Sequence, residues 1–306
     1  MAEVAVPSVC DAEALLHDAR VRMDARLAVW ATRLRDDVGG RDGEAIAYAL
    51  MSPGKRVRAA LVFAAYRACG GTSDAIDEVA AAVETVHAYS LVHDDLPCMD
   101  DDALRRGRPT THVAFDVPTA TRVGYLLVPV AARVLAGAVR ALGLDAAALG
   151  RMAETLFEAG GMQGMVGGQW LDLEAEQKAV DLGGLMAVHR GKTGALIRAS
   201  CALGGLAARA GDAAFEALEL YGDEIGLAFQ IADDVLDATQ TSAVLGKTAG
   251  RDAALQKSTY VLHLGVDGAC REASRLAESA VARLDAAGLA APALSALARY
   301  IVHRRH

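Results

Sequence analysis

The sequence predicts an all-α protein, a single large helical domain, and three observations carry that prediction. Hydrophobic residues make up 53% of the 306, much of that alanine, while aromatics are only 5%. Alanine is the strongest helix former, and the aromatic and threonine residues that favour strands are scarce. Apolar residues recur at helical spacing through long stretches, and only seven prolines interrupt them. No repeat of fixed period and no long linker divides the chain, so residues 1–306 are expected to form one domain.

Residues 11–38 read as an amphipathic helix closed by Gly39-Gly40. Pro53-Gly54 then breaks the chain, and a helix is expected from about Val57. Lys55, Arg56 and Arg58 fall on that turn and first helical turn, where free backbone N–H groups also favour an anion. The alternative for them is a plain basic surface. Ala75 to His93 is apolar on most sides and delivers Asp94 and Asp95 at its C-terminal end, against the helix dipole. Pro97 loosens the chain there and lets Asp100 approach Asp94. Residues 119–143 form an apolar helix with a kink or break expected at Pro129. Residues 146–173 hold six glycines in a helical pattern. Each costs about 1 kcal/mol relative to alanine, so close helix approach or ligand access must compensate. Lys192 and Thr193 are expected at the start of a helix over 192–209. A long helix over 213–238 places Gln230, Asp233 and Asp237 on one face at i, i+3, i+7. Lys247 follows in a loop, and helices are expected over 256–264, 267–287 and 292–303.

Several function classes are disfavoured by composition. The net charge of −8 argues against non-specific nucleic-acid binding. The five cysteines are scattered without a C-x-x-C pair, which points to free thiols and a reducing compartment, the cytoplasm. No basic segment followed by an apolar core opens the chain, so no signal peptide is expected. The longest apolar runs meet Arg133 or Arg198 before about 18 residues, so no membrane span is expected.

The stretch LVHDDLPCMDDDALRRGRP at 91–109 packs Asp94, Asp95, Asp100, Asp101 and Asp102 against Arg105, Arg106 and Arg108. Such a group is tolerable either as a solvated loop or with a divalent cation supplying positive charge. The second cluster, Asp233, Asp234 and Asp237, together with the arginines, suggests a polyanion such as a diphosphate bridged by Mg²⁺. No Ser/His/Asp or Cys/His nucleophile signature is present.

Taken in order, these segments resemble the trans-isoprenyl diphosphate synthases, the farnesyl and geranylgeranyl diphosphate synthase family. The resemblance rests on GKRVR at 54–58, HAYSLVHDDLPCMDDDALRRG at 87–107, GMVGGQWLDL at 164–173, HRGKTGAL at 189–196, FQIADDVLD at 229–237 and GKT at 246–248. It implies a helical bundle around a prenyl-chain cavity and a homodimer. Asp94, Asp95, Asp100, Asp233 and Asp237 would hold Mg²⁺, typically three ions, on an allylic diphosphate. Arg105, Lys192 and Lys247 would complete that cradle beside Thr193 and Gln230. Lys55, Arg58, His87 and Arg106 would bind isopentenyl diphosphate. The reaction implied is ionisation of the allylic diphosphate and attack by the isopentenyl double bond, with the departing diphosphate taking the proton.

By the same resemblance Tyr89, five residues before Asp94 and about 7.5 Å down the helix axis, would floor the cavity and give farnesyl diphosphate, with Ser90 beside it. The alternatives are a core tyrosine at 89 and a geranylgeranyl product. The chain departs from the family pattern at Asp116-Val117, at Tyr125, and at Ala59 in place of a proline. Two further readings stand: a terpene cyclase, disfavoured by the second aspartate motif and the Lys55/Arg58/His87 set, and a non-catalytic partner subunit, disfavoured by the retained aspartates.

Overall fold

The computed structural model describes residues 9–175, 180–239 and 258–304. Helices α1 (Val9–Val38), α2 (Gly40–Leu50) and α3 (Val57–Ala68) lead into α4 (Ile76–Asp94). A two-stranded hairpin follows, β1 (Leu104–Arg105) and β2 (Arg108–Pro109), then α5 (Thr111–Ala114), α6 (Val117–Ala141), α7 (Ala146–Gly160) and α8 (Met165–Ala175). The chain resumes with α9 (Leu182–His189), a π-helical turn (Arg190–Gly194), α10 (Ala195–Ala207), α11 (Asp212–Thr239), α12 (Tyr260–Ala286) and α13 (Pro292–His303).

Helix α4 is the axis of the bundle. It packs against α3, α6 and α10, and Val79 to Val83 are fully buried. Small residues at 80–82 let the neighbours approach, which is why a helix apolar all round is stable here. The main core spans α1 to α4, α6, α7, α10, α11 and α13, and a smaller apolar cluster joins α9, α11 and α12 around Leu227, Ile231 and Tyr260.

Three local expectations are corrected. Helix α6 runs unbroken through Pro129. Proline removes the bond to the Tyr125 carbonyl, but both residues are exposed, so water can take that oxygen. Lys192 and Thr193 do not begin a helix; they occupy the π-helical turn between α9 and α10, and the N-cap is Asp181, whose side chain accepts from Gly184 N. The glycine-rich segment over 146–173 is two helices, broken at Gly161–Gly164. Helix α6 has the length and apolarity of a spanning helix, but, in line with the sequence reading, it is a core helix: Ala120, Val123, Leu127, Ala131 and Val134 are buried, and it packs along α4. Asp116, one of the departures from the family pattern, is its N-cap, accepting from Thr119 N at 2.7 Å and pairing with Arg41 at 3.0 Å.

Candidate active site

Two cavities open where α3, α4, α11 and the hairpin meet, and α8, α9 and the π-helical turn complete the first. The first, about 330 Å³, is lined by Asp94, Asp100 and Asp102 on one side and by Lys192, Thr193 and Gln230 on the other, with Arg105 at its rim. The second, about 460 Å³, is lined by Lys55, Arg56, Arg58, Arg106 and Arg304, with Glu84 and Asp233 as its acids. Arg58 and His87 line both and form the wall between them.

The acidic side of the first cavity is built by the end of α4. Pro97 ends the helix, and the turn that follows brings Asp100 N onto the Asp94 carbonyl at 2.8 Å. Burial, reinforced by Asp100 and Asp95 and opposed by Lys192 and Arg105, pushes the Asp94 carboxyl up to about 6. Burial, more than the neighbouring carboxylates, disfavours the charged form of Asp94.

The basic side depends on glycine. A Cβ on Gly168 of α8 would lie 2.0 Å from Lys192 N, one on Gly191 2.8 Å from Gly168 Cα, and one on Gly226 of α11 2.6 Å from Gly194 Cα. The π-helical turn is thus clamped backbone to backbone between two helices, which is what the glycine density serves. Clamped there, Lys192 reaches Asp172 at 2.7 Å and Asp100 at 3.9 Å. Burial alone would lower its pKa, but Asp172, Asp100 and Asp94 outweigh burial and hold it above the ordinary ammonium value. Thr193 Oγ1 donates to Gln230 Oε1 at 2.8 Å.

The hairpin explains how adjacent arginines serve different cavities. Arg106 and Gly107 both have positive φ, 52° and 76°, the signature of a two-residue type I′ turn. Arg105 Nε donates to Asp95 at 2.6 Å, while Arg106 turns the other way and donates to the Pro53 carbonyl. In the second cavity Arg58 Nη1 is 3.3 Å from His87 Nε2. A guanidinium only donates, so Nε2 is the acceptor and the imidazole is neutral; burial and the Arg58 charge hold its pKa well below 6.5. Burial likewise brings Arg58 down to about 10, although Glu84 opposes the shift.

The structure thus brings Asp94, Asp100, Arg105, Lys192, Thr193, Gln230 and Ser90 to one cavity, and Lys55, Arg58, His87 and Arg106 to the other. It does not bring all the aspartates together. Asp95 is buried, bonded to Arg105, and faces a small cavity beside Tyr48. Asp233 faces the second cavity and pairs with Arg304 at 2.6 Å, and Asp234 rather than Asp233 lines the first. Asp237 is buried in α11. The Lys247 position lies outside the described residues. Tyr89 does not line the first cavity either; its ring meets His93 edge-on at 5.0 Å, and His93 in turn meets the exposed Tyr125 at 5.5 Å.

Sequence reasoning missed Gln169 and Asp172, and it placed Asp102 and Asp234 in the acidic clusters without giving them a role. Gln169 Nε2 is 3.4 Å from Asp100, and Asp102 pairs with Arg105 at 3.5 Å. The available signal for the first two was a Gln and an Asp at i, i+3 directly after Gly167-Gly168. A Mg²⁺ ion fits this donor set in a particular way. Among the described residues no three His, Cys, Asp or Glu side chains converge as one metal site. Mg²⁺ is commonly held by one or two carboxylates with phosphate oxygens and water completing its shell, and Asp94 and Asp100 offer two such carboxylates on one side of the first cavity.

The model of the polyprenyl synthetase family matches residues 43–290. The chain belongs to that family. Among related proteins, the farnesyl diphosphate synthase of Escherichia coli (strain K12) is 45% identical over 85% of this chain and 88% of its own length. The chloroplastic geranylgeranyl pyrophosphate synthase of Catharanthus roseus is 41% identical over 85% of this chain and 73% of its own. Among solved structures, the FPP/GFPP synthase of Zymomonas mobilis superposes with a TM-score of 0.83 at 34% identity, covering 96% of this chain and 100% of that one. The geranyltransferase of Helicobacter pylori complexed with magnesium and isoprenyl diphosphate gives 0.78 at 30% identity, covering 95% and 96%. The all-α architecture is thus that of prenyl synthases.

Proposed function

We propose that this polyprenyl synthetase is a short-chain trans-prenyl diphosphate synthase that condenses isopentenyl diphosphate with dimethylallyl and geranyl diphosphates to farnesyl diphosphate. The observation that carries the reading is the pair of cation-lined cavities that share Arg58 and His87 as their common wall. One is lined by carboxylates suited to a metal-bridged diphosphate; the other is predominantly cationic, suited to a diphosphate that need not ionise.

In this reading Asp94 and Asp100 hold Mg²⁺ on the allylic diphosphate, and Mg²⁺ when bound neutralises charge on the leaving group. Lys192 and Arg105 add fixed positive charge on the same side, where it meets charge developing on the departing oxygen. Thr193 and Gln230 orient each other beside them. Lys55, Arg58 and Arg106 grip isopentenyl diphosphate, and neutral His87 offers an Nδ1–H. Asp95, Asp233, Asp237 and Lys247 are assigned to the same set by the family motifs, and Asp233 would have to release Arg304 to serve as a metal ligand. The largely buried helix α4 would shield one side of the allylic cation from water.

Tyr89 with Ser90 is assigned to chain length. A geranylgeranyl product is the second reading, favoured by Tyr89 packing on His93 rather than facing the cavity. The chain is assigned one polyprenyl synthase domain, a homodimeric state, three Mg²⁺ per site and a cytoplasmic location, the last supported by the free Cys69, Cys98, Cys201 and Cys270. Incubation of purified protein with Mg²⁺, isopentenyl diphosphate and either allylic diphosphate, with products resolved by chain length, tests the reading. Elongation to fifteen carbons is expected. A hydrocarbon product would indicate a cyclase, and no turnover a non-catalytic subunit.

A further inference from the structure

The isopentenyl diphosphate subsite assigned above is approached by Lys55 and Arg58, but Arg56 between them behaves differently. Its side chain is buried, and its backbone is left-handed with φ 52° and ψ 39°, a conformation that side-chain-bearing residues avoid. Arg56 Nη1 donates to Glu84 Oε2 at 3.2 Å, Nε to Asp24 at 2.9 Å and Nη2 to the Ser52 carbonyl at 3.0 Å. Glu84, on α4 one turn before His87, is 3% exposed. Its other oxygen accepts from Ala59 N at 3.3 Å, an N–H in the first turn of α3 that would otherwise be unsatisfied. A proline at 59, the residue usual in the family pattern, would have no N–H to give. Arg58 Nε is buried without a partner among the described residues, a donor left for a ligand.

We propose that Arg56 and Glu84 are a positioning pair: by turning Arg56 inward and tying the start of α3 to α4, they aim Lys55 and Arg58 at the isopentenyl diphosphate. The proposal rests on the function assigned above. It makes the pair silent toward the allylic diphosphate, whose cavity Arg56 and Glu84 do not line.

The test compares Glu84→Gln and Arg56→Gly with the wild type, by steady-state kinetics with each substrate varied and by calorimetric titration of isopentenyl diphosphate alone. Glycine accepts positive φ without strain, so Arg56→Gly removes the anchor while sparing the turn. Both variants should raise KM for isopentenyl diphosphate by roughly tenfold or more, the loss expected for a charged hydrogen bond, and leave KM for geranyl diphosphate within about twofold. Calorimetry should show the same selective weakening. KM values for both substrates unchanged, or moving together, would overturn the proposal. So would a fall confined to the folded fraction with the surviving enzyme unaltered, since the pair would then be merely structural. A wild type that binds isopentenyl diphosphate without elongating would refute the assigned reaction but not the positioning, which the titrations would still decide.

Discussion

Asp94→Asn should make the metal-free protein more stable while abolishing turnover. The folded carboxyl has its pKa raised from 3.8 to about 6, chiefly by burial. Between those values the folded chain holds a proton that the unfolded chain has released, so stability falls as pH rises through the window. Above pH 6 the whole penalty is present. A difference of about two pK units at about 1.4 kcal/mol each gives at most about 3 kcal/mol. Asparagine, similar in shape and uncharged, removes it. For a chain of this length about 2 °C accompanies each kcal/mol, so Tm in EDTA at pH 8 should rise by roughly 4–6 °C over wild type. At pH 4, where the wild-type carboxyl is protonated when folded, the two proteins should nearly coincide. Mg²⁺ with inorganic diphosphate should reverse the order at pH 8, because only the wild type gains a ligand. The assay is thermal denaturation of both proteins under these three conditions. A variant no more stable than wild type at pH 8 without metal would refute the claim that burying the Asp94 carboxylate costs stability.

Asp233→Ala should lose activity and, unlike Asp94→Asn, also lose about 1–2 kcal/mol of stability by chemical denaturation, because it strands the buried guanidinium of Arg304. Gly168→Ala should cost about 3 kcal/mol or more, or displace Lys192 and drop turnover sharply, since its Cβ would meet backbone at 2.0 Å; Tm and kcat report which. Tyr89→Ala should lengthen the product beyond fifteen carbons by chromatography of the dephosphorylated alcohols, and an unchanged length would remove Tyr89 from the chain-length assignment. Asp172→Asn should lower kcat by roughly tenfold or more, the scale of a lost charged hydrogen bond, because Lys192 loses its nearest carboxylate; unchanged kcat would show that Asp172 does not support the cradle.

Much of the fold was legible because it depends on local chemistry. The Pro53-Gly54 break, the long apolar α4 and the i, i+3, i+7 face of α11 each follow from spacing within a turn or two. What was not legible depends on partners far away in sequence. Face geometry predicted that Asp233 joins Gln230, yet Arg304, seventy-one residues on, draws it to the other cavity. The π-helical turn at 190–194 has no local signature in RGKTG; it exists because Gly168 and Gly226 leave it room from both sides. Glycine density did signal close approach, but not which helices approach. Lys192 was assigned to the cradle from the family motif while its backbone setting was misjudged, because a motif fixes residue identity and tertiary packing fixes conformation.

The strained backbone positions connect these points. Among the described residues the non-glycine positions with positive φ are Arg56, Asp101, Arg106 and Arg209, and three of the four lie in segments that build the two cavities. Each costs on the order of 1 kcal/mol or more, so something must hold it. Arg56 is held by Glu84, Asp24 and Ser52, and Arg106 by the Pro53 carbonyl. Because Pro53 and Arg56 belong to one loop, that loop braces the hairpin while α4 braces the loop through Glu84. The strain therefore separates neighbours in sequence: Arg105 from Arg106 across an I′ turn, and Arg56 from Lys55 and Arg58 across a left-handed residue. Two diphosphate sites, divided by one Arg–His wall, require the Arg105-Arg106 run to be split. Lys55, Arg56 and Arg58 all line the second cavity, and there the strained residue ties Arg56 to Glu84.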